Sequence, residues 1–542
     1  MDMFNTTLSP ASKNQYSSLR WFLNLLDNVF EMVEISMGTV LCAVAVMITV
    51  VALTQIVYNL YLHPLSRYPG PTMARDSMAW RFWHSMRGRF HRVIEENHHQ
   101  YGNVFRVGPN ELSFASVTAF RTIYGNRTSA EPKSPAPKNE WYDMLGSDFG
   151  EFCVASERDP HKASQKRALF PAAFTQKSLL EQEAKIQRCI DNFVSKLGKV
   201  GSGTEGVNLA KWYEMISFDI FGEFAFGESF GCVERGKCFA NLPKPSGLLT
   251  RQSTETSHYW LDVILDHLLV VNMIDNLRRY PLLVTLAKSL PAKWTTGLAT
   301  KQTQFSRDKV KLLEKGDDER DFLTHAVSKL RDGTIVEEEL VAHASTLVMA
   351  GGETTSTSMA AITFYLLTSP ASHKKLKEEV RNRYQMLQDI DITSTAQLPY
   401  LQAVIKEGMR IFPAGPQGLP RKSTGMTVDG NFVPKGTEFY VSSWTVSHDE
   451  HYFHDPTTFK PKRWIDPNCQ DVREASQPFS SGPRVCIGRT FAYAQMSLEL
   501  AKIVWKYDME LVDQGLDFEA ESRMFFQWRK AALNVRFMDR AT

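Results

Sequence analysis

A ten-residue segment holds the residue types best suited to chemistry. It runs from Phe479 to Gly488 with the sequence FSSGPRVCIG, and Cys486 stands just before a predicted helix at 489–507. The dipole and free N–H groups at a helix N-terminus favour a thiolate over a thiol. A thiolate suits haem iron, because it pushes electron density onto the metal and favours cleavage of dioxygen. Taken alone, one cysteine would instead indicate a buried structural thiol.

The residues around Cys486 strengthen the haem prediction. Gly482 and Gly488 allow the backbone to approach a flat macrocycle closely, and Arg484 can form paired hydrogen bonds with a haem propionate. Phe479 completes the pattern FxxGxRxCxG. The whole pattern, rather than the cysteine alone, predicts that Cys486 is the axial ligand of haem iron.

A second segment is suited to handling dioxygen. A helix is predicted at 335–369, because a capping-box pattern at 334–337 precedes it and a proline follows it. Residues 350–355, with the sequence AGGETT, place two glycines and two hydroxyls in its middle, which weakens the helix and would open a groove for dioxygen. Glu353 beside Thr354 can relay protons. The alternative is a helix that packs closely through its small residues.

Together the two segments resemble the haem-binding and oxygen-side motifs of the cytochrome P-450 superfamily. The resemblance implies Cys486 as the proximal ligand, Thr354 as the oxygen-side alcohol and Glu353 as its acidic neighbour. Residues 207–213 and 218–231 look particularly like fungal secondary-metabolism members of the isotrichodermin hydroxylase type. The implied fold is mainly α with small β-sheets (α+β), preceded by a single N-terminal transmembrane helix.

The resemblance also implies a structural triad. Glu407 and Arg410 stand three residues apart on one helical face, and such pairs usually lie on the surface and contribute little. Arg463 lies in residues 459–464, which resemble the family segment that completes a buried Glu-Arg-Arg network. We therefore expect these three residues to hold the proximal side together rather than to take part in catalysis.

Further propionate contacts are expected from two segments. Arg421 ends a stretch that resembles the part of the family chain passing the haem edge. At 161–167, Gln165 occupies the position where the family has an arginine, so the role moves to Lys166 or Arg167. The alternative for these two residues is a basic, solvated helix face.

An apolar run predicts a membrane anchor. Residues 35–62 contain no Asp, Glu, Lys, Arg or His, and ~20 such residues rise ~30 Å as a helix, enough to cross a bilayer. Several arginines follow the span and few basic residues precede it, so the positive-inside rule places the large body in the cytosol. We expect a single-pass protein of the endoplasmic reticulum membrane with a lumenal segment at 1–34, a proline-rich hinge at 63–71 and one monooxygenase domain at 72–542. Asn5 begins a sequon and is the candidate glycosylation site.

Charge and cysteine spacing argue against other kinds of site. A formal net charge of +2 is too small to indicate a nucleic-acid partner. The seven cysteines form no CxxC motif, which disfavours a zinc site or a disulfide framework. Cys232 and Cys238 are accordingly interpreted as two free thiols.

Periodicity predicts a mainly helical body. Amphipathic helical patterns occur at 176–196, 209–226, 337–367 and 373–388. Strand patterns are fewer and occur at 104–107, 427–433 and 438–441. Asp429-Gly430 marks a hairpin in the second of these.

The resemblance implies a haem-dependent monooxygenase. It would insert one oxygen atom from O2 into an apolar small molecule, by hydroxylation or epoxidation in terpenoid or polyketide secondary metabolism. The cofactor would be haem b. Because the sequence has no flavin or nicotinamide fingerprint, electrons are expected from NADPH through a separate NADPH-cytochrome P-450 reductase, docking near Cys486 and the lysines around 374–377. The open alternatives are oxidative ring coupling, dehydration or isomerisation on the same fold, and non-catalytic haem binding.

Overall fold

The chain divides into two units, Met1–Ser66 and Arg67–Thr542. The computed structural model describes residues 37–125, 136–145, 150–170, 174–226, 229–236, 271–280 and 324–540, with the single positions 285, 307 and 310. The predicted lumenal segment and Asn5 lie outside the described residues.

The first unit contains one long apolar helix. Helix α1 (Met37–Val57) continues as a π-helical turn at Tyr58–Leu62. Gly38–Leu62 has a mean hydropathy of 2.6 over its most apolar window and is long enough to cross a membrane. By length and composition it is therefore a candidate membrane span.

The second unit is rich in helices. Those described are α2 (Thr72–Asp76), α3 (Ala79–Met86), α4 (Phe90–Tyr101), α5 (Val117–Tyr124), α6 (Pro160–Arg167), α7 (Gln176–Glu181), α8 (Glu183–Val200), α9 (Leu209–Phe226), α10 (Cys232–Arg235), α11 (Thr324–Arg331), α12 (Glu337–Leu367), α13 (Pro370–Arg383), α14 (Ile392–Ala396), α15 (Pro399–Ile411), α16 (Ser443–Ser447), α17 (Arg489–Lys506) and α18 (Phe518–Glu521). Short 3-10 turns occupy Glu140–Leu145, Leu387–Asp389, Pro461–Trp464, Arg473–Ala475 and Gly482–Arg484. Helix α12 is buried along most of its length and packs against α9 and α15.

The sheets are small. Their strands are β1 (Val104–Gly108), β2 (Glu111–Phe114), β3 (Val207–Asn208), β4 (Arg421–Lys422), β5 (Met426–Val428), β6 (Asn431–Val433), β7 (Glu438–Val441), β8 (Tyr507–Leu511), β9 (Arg523–Met524), β10 (Trp528–Arg529) and β11 (Asn534–Asp539). They form a four-stranded sheet in the order β1-β2-β7-β4 and a three-stranded sheet in the order β3-β11-β8. In addition, β5 pairs with β6 and β9 pairs with β10. A helix-rich body with small sheets is what the sequence predicted.

Several local predictions are confirmed by the backbone. The bounds of α9 and α12 match the predicted patterns at 209–226 and 337–367. Strands β5 and β6 pair antiparallel around Asp429 and Gly430. Both turn residues have positive φ, 48° and 72°, as a two-residue hairpin turn requires.

The predicted capping box is wrong. Helix α12 begins at Glu337 after Val336, which makes no side-chain cap. The Thr334 hydroxyl donates instead to the carboxylate of Asp332. A competing acceptor two residues upstream therefore removes the cap, and the helix starts two residues later than predicted.

The glycine pair of α12 serves close packing. A Cβ at Gly351 would lie 1.8 Å from Cζ of Phe221, and one at Gly352 would lie 2.9 Å from Cζ of Phe218. Both phenylalanines belong to α9 and are buried. The helix runs unbroken through this point, so the packing alternative accounts for the glycines.

The free-thiol interpretation of Cys232 is also wrong. Cys232 is disulfide-bonded, while Cys238 lies outside the described residues. Spacing alone could not decide between a free thiol and a disulfide bond, because a disulfide forms only where the fold brings two cysteines close together.

We predict that Gly351→Ala destabilises the body. Helix propensity alone would favour alanine by ~1 kcal/mol, but overpacking a buried contact costs roughly 1–3 kcal/mol. Phe221 cannot move easily, because its ring packs against Phe491 with centroids 5.0 Å apart. Thermal unfolding should show a lower midpoint for this variant.

Gly203→Ala is the matched control, since a Cβ there meets open space. Adding Phe221→Leu to Gly351→Ala should recover part of the lost stability. An unchanged midpoint for Gly351→Ala would contradict the close packing.

Candidate active site

The loop before α17 presents Cys486 to an internal cavity. The N–H of Cys486 donates to the carbonyl of Phe479 at 2.9 Å, and Val485 N–H donates to the carbonyl of Gly482 at 3.0 Å, so the loop folds back on itself. Gly488 precedes the first residue of α17. Cys486 has a free thiol that is exposed to the cavity it lines.

The electrostatics of Cys486 differ from the sequence-based expectation. Burial raises the pKa of its thiol, although the N–H of Gly488 and the charges of Arg167 and Arg489 act in the opposite direction. Desolvation therefore outweighs the helix N-terminus. A bound metal cation is what would hold this sulfur as a thiolate, since coordination deprotonates a thiol.

The two predicted halves of the site meet at one cavity. It has a volume of about 340 Å³ and is lined by both Cys486 and Thr354. Much of the wall is apolar, including Phe120, Trp141, Val271, Leu419, Met524 and Phe526. An apolar molecule could therefore lie between the thiol and the threonine.

Thr354 and Glu353 face different surroundings. Thr354 Oγ1 donates to the carbonyl of Ala350 at 2.6 Å, and the side chain is exposed at the cavity wall. Glu353 is fully buried and is not among the residues that line the cavity. Its Oε2 accepts a hydrogen bond from Lys530 Nζ at 3.0 Å. The sequence predicted an acid beside an alcohol, but it did not predict this partner.

Cations gather around the cysteine loop. Burial, together with the nearby charges of Arg484 and Arg421, lowers the pKa of Lys138 to about 7. Arg421 is buried and donates from Nη1 to the carbonyl of Ala136, while its Nε and Nη2 form no hydrogen bond with any described residue. Buried cations without anionic partners are costly. An anionic ligand group placed among them would compensate their charge.

Gly482 and Gly488 differ in how closely they are packed. Gly482 has φ +70°, and a Cβ there would lie 2.1 Å from the carbonyl oxygen of Tyr124. Glycine is therefore required at position 482, because the backbone of Tyr124 leaves no room for a side chain. At Gly488 an added Cβ would touch only Phe174, at 3.8 Å.

Lys166 and Arg167 point to different partners. Lys166 Nζ forms an ion pair with Glu339 at 2.8 Å, in the first turn of α12. Arg167 lies close enough to Cys486 for their charges to interact. Of the two, Arg167 is therefore the better placed for a propionate.

The triad residues converge on one buried carboxylate. Glu407 accepts from Arg410 at 2.8 and 2.9 Å and from Nε of Arg463 at 3.0 Å. It also accepts from Nε1 of Trp464 and from the backbone N–H of Lys460, each at 2.9 Å. Glu407 and Arg410 are completely buried. The sequence analysis missed Trp464 and Lys460, because neither residue type marks a carboxylate site by itself.

The cavity fits a haem. A thiol opens into it from a helix N-terminus, its walls are largely apolar, and two guanidinium nitrogens of Arg421 have no hydrogen-bond partner among the described residues. Two propionates would supply the missing charge. Lys138 was not foreseen in this role, because no local motif surrounds it.

We predict that Glu407→Gln strands the buried guanidinium of Arg410, whereas Arg463 keeps its ion pair with Asp471. Breaking such a network by removing one partner costs about 3–5 kcal/mol. The variant should therefore unfold at lower temperature and purify with little haem, measured as haem absorbance per protein. Glu474→Gln is the matched control, because its pair with Arg121 lies on the surface. Wild-type stability and haem content in Glu407→Gln would contradict the prediction.

Comparisons with known proteins agree with this geometry. The cytochrome P-450 family model matches residues 75–531. Cytochrome P-450 monooxygenase ORF9 of Penicillium roqueforti (strain FM164) is 47% identical, over 89% of this chain and 91% of that protein. Cytochrome P-450 monooxygenase BOT4 of Botryotinia fuckeliana is 44% identical, over 89% of this chain and 88% of that protein. The chain therefore belongs to the cytochrome P-450 family of monooxygenases, which implies a haem, O2, a substrate and a redox partner that supplies electrons.

Proposed function

We propose that the protein inserts one oxygen atom from O2 into an apolar small molecule, by hydroxylation or epoxidation, in fungal terpenoid or polyketide secondary metabolism. The observation that carries the proposal is the shared cavity of Cys486 and Thr354. The similarity to monooxygenases of Penicillium and Botryotinia supports the fungal context. Aromatic and aliphatic walls favour an apolar substrate and exclude water from the reaction.

The proposed cofactor is haem b. Cys486 would be its axial ligand, while Arg484, Arg421, Arg167 and Lys138 would hold its propionates. When bound, the haem supplies the activation of dioxygen. The surrounding residues fix its orientation and keep the cavity largely apolar.

Thr354 is the proposed catalytic residue of this chain. Its hydroxyl lies at the cavity wall and donates to the carbonyl of Ala350. It can pass a proton into the cavity from Oγ1, provided that the proton is replaced from the interior. Glu353, the preceding residue, is buried away from the cavity lining and is the proposed source of that proton.

The proposed electron donor is NADPH, acting through a membrane-bound NADPH-cytochrome P-450 reductase. Gly38–Leu62 supports a single-pass anchor in the endoplasmic reticulum membrane, with the body cytosolic. Among the lysines of the expected docking surface, Lys377 pairs with Asp508 at 3.0 Å, whereas Lys374 lies 3.9 Å from Glu378 and keeps 76% of its side chain exposed. Lys374 is thus the one freer to meet an acidic partner.

Other reactions remain as second candidates. Oxidative ring coupling, dehydration or isomerisation would use the same fold and cofactor. A hydroxyl that faces the same cavity as the thiol favours oxygen activation over non-catalytic haem binding.

Isotopically labelled O2 distinguishes these reactions. The holoenzyme would be supplied with reductase, NADPH and candidate terpenoid or polyketide precursors, and the products analysed by mass spectrometry. We expect one labelled oxygen atom in the product. A turnover product without label would instead indicate coupling, dehydration or isomerisation.

We predict that Thr354→Ala uncouples electron use from product formation. Removing a positioned proton donor should lower product formation by roughly tenfold or more, while NADPH oxidation continues and hydrogen peroxide accumulates. Thr368→Ala is the matched control, because Thr368 makes the same type of bond to a carbonyl four residues back without lining the cavity. Equal coupling in both variants would argue against the role of Thr354.

A further inference from the structure

A polar patch forms part of the cavity wall. It comprises Arg81 on α3, Asn272 and Asp275 in the segment 271–280, and Glu438 and Tyr440 on β7. Arg81 Nη1 lies 3.1 Å from Asp275 Oδ2, and the charges of Arg81 and Glu438 both act on the hydroxyl of Tyr440. These side chains therefore lie together within a largely apolar lining.

The charged groups at this patch pair with one another. Three guanidinium groups, those of Arg81, Arg278 and Arg279, form ion pairs with three carboxylates, those of Glu111, Asp275 and Glu438. An ionised ligand group would add a charge that none of these described residues is left to balance, and an unpaired buried charge is costly. The patch therefore favours a neutral ligand group.

Tyr440 brings an unused hydrogen-bond donor to the cavity. Only 4% of the residue is exposed, yet its hydroxyl has no hydrogen-bond partner among the described residues. Burial, together with the charge of Glu111, raises the pKa of Tyr440 well above its ordinary value, so the hydroxyl keeps its proton and can donate it. A buried donor without a partner destabilises the protein. An acceptor oxygen on a bound molecule would remove that cost.

Tyr124 shows what a satisfied hydroxyl looks like in the same wall. It also lines the cavity, but its hydroxyl donates to the carbonyl of Leu419 at 2.7 Å and accepts from the N–H of Val441 at 3.2 Å. Both partners belong to the chain. Of these two tyrosines, Tyr440 is therefore the one that can serve a ligand.

We propose that the substrate is an apolar skeleton that already carries one neutral oxygen, as a hydroxyl or a carbonyl group, and that Tyr440 donates a hydrogen bond to this oxygen. The inference rests on the proposed function, because it names the substrate class of the same cavity. A single polar contact within an apolar wall fixes the orientation of the bound molecule.

Two consequences follow for substrate choice. A hydrocarbon of the same shape binds less well, because it leaves the Tyr440 hydroxyl unpaired in a site built to use it. The oxygen held by Tyr440 must also have entered the molecule before this reaction. An earlier oxygenation, or the addition of water to the carbon skeleton, is therefore the class of step that supplies the substrate.

The test uses three rigid probes with one carbon cage: adamantanol, methyladamantane and adamantanecarboxylate, each substituted at a bridgehead carbon. Each is titrated into wild-type and Tyr440→Phe holoenzyme, and binding is followed by the change in the Soret absorption of the haem, which requires no turnover. We expect Tyr440→Phe to weaken binding of the alcohol by roughly tenfold. Binding of methyladamantane should be largely unchanged, because it has no oxygen to lose a contact.

Tyr124→Phe is the matched control, since it removes a hydroxyl from the same wall. Its two internal hydrogen bonds are lost, so its thermal midpoint should fall, while the affinities for the alcohol and for methyladamantane should change by the same factor. The midpoint of ligand-free Tyr440→Phe should not fall. A lower midpoint there would show that the hydroxyl of Tyr440 has a structural partner, which contradicts the proposal.

The binding results decide the proposal without oxygen transfer. Equal losses of affinity for the alcohol and methyladamantane in Tyr440→Phe, or no binding of the alcohol to the wild type, would overturn the contact with Tyr440. Tighter binding of the carboxylate than of the alcohol by the wild type would overturn the neutral substrate class. A turnover product without labelled oxygen would instead reject the proposed function and leave the selectivity for the alcohol intact.

Discussion

The placement of one sulfur atom at a largely apolar cavity is the constraint on which the rest of the structure depends. Cys486 lines that cavity, and burial by the surrounding chain opposes the ionisation of its thiol. A thiolate in that position is stable only when a nearby cation offsets part of the free-energy cost of desolvation. Coordination to haem iron would provide that cation. The loop from Phe479 to Gly488 and the start of α17 serve to hold the sulfur at that point.

Two sets of charged residues belong to the site, one around the cysteine loop and one behind α12. Around the cysteine loop lie Arg484, Arg421 and Lys138, and two guanidinium nitrogens of Arg421 have no hydrogen-bond partner among the described residues, which an anionic cofactor group would supply. Behind α12, Glu353 and Glu214 both pair with Lys530. The first set is the one proposed to hold the haem propionates. The second keeps Glu353 buried and away from the residues that line the cavity.

The sequence predicted the features that depend on neighbouring residues. Helix periodicity located α9 and α12, and Asp429-Gly430 located a hairpin, because these structures follow from local spacing. Prediction failed where another side chain competes for a group or packs against it. Asp332, two residues before Thr334, accepts from the hydroxyl expected to cap α12, and Phe221 on α9 packs against the glycine that was predicted to open a groove.

The same division applies to the candidate site. Cys486 and Thr354 belong to motifs with fixed spacing, and the structure brings both to one cavity. Lys138 and Lys530 belong to no such motif. Their positions follow from the packing of separate helices and strands, so the sequence carried no local signal for them.

The absorption spectrum of the reduced, carbon monoxide-treated full-length protein tests ligation by Cys486 most directly. A thiolate opposite carbon monoxide should give the wild type a red-shifted Soret band, and a folded Cys486→Ser variant should lack it. A folded wild-type protein without that band, or a serine variant that keeps it, would contradict the assignment.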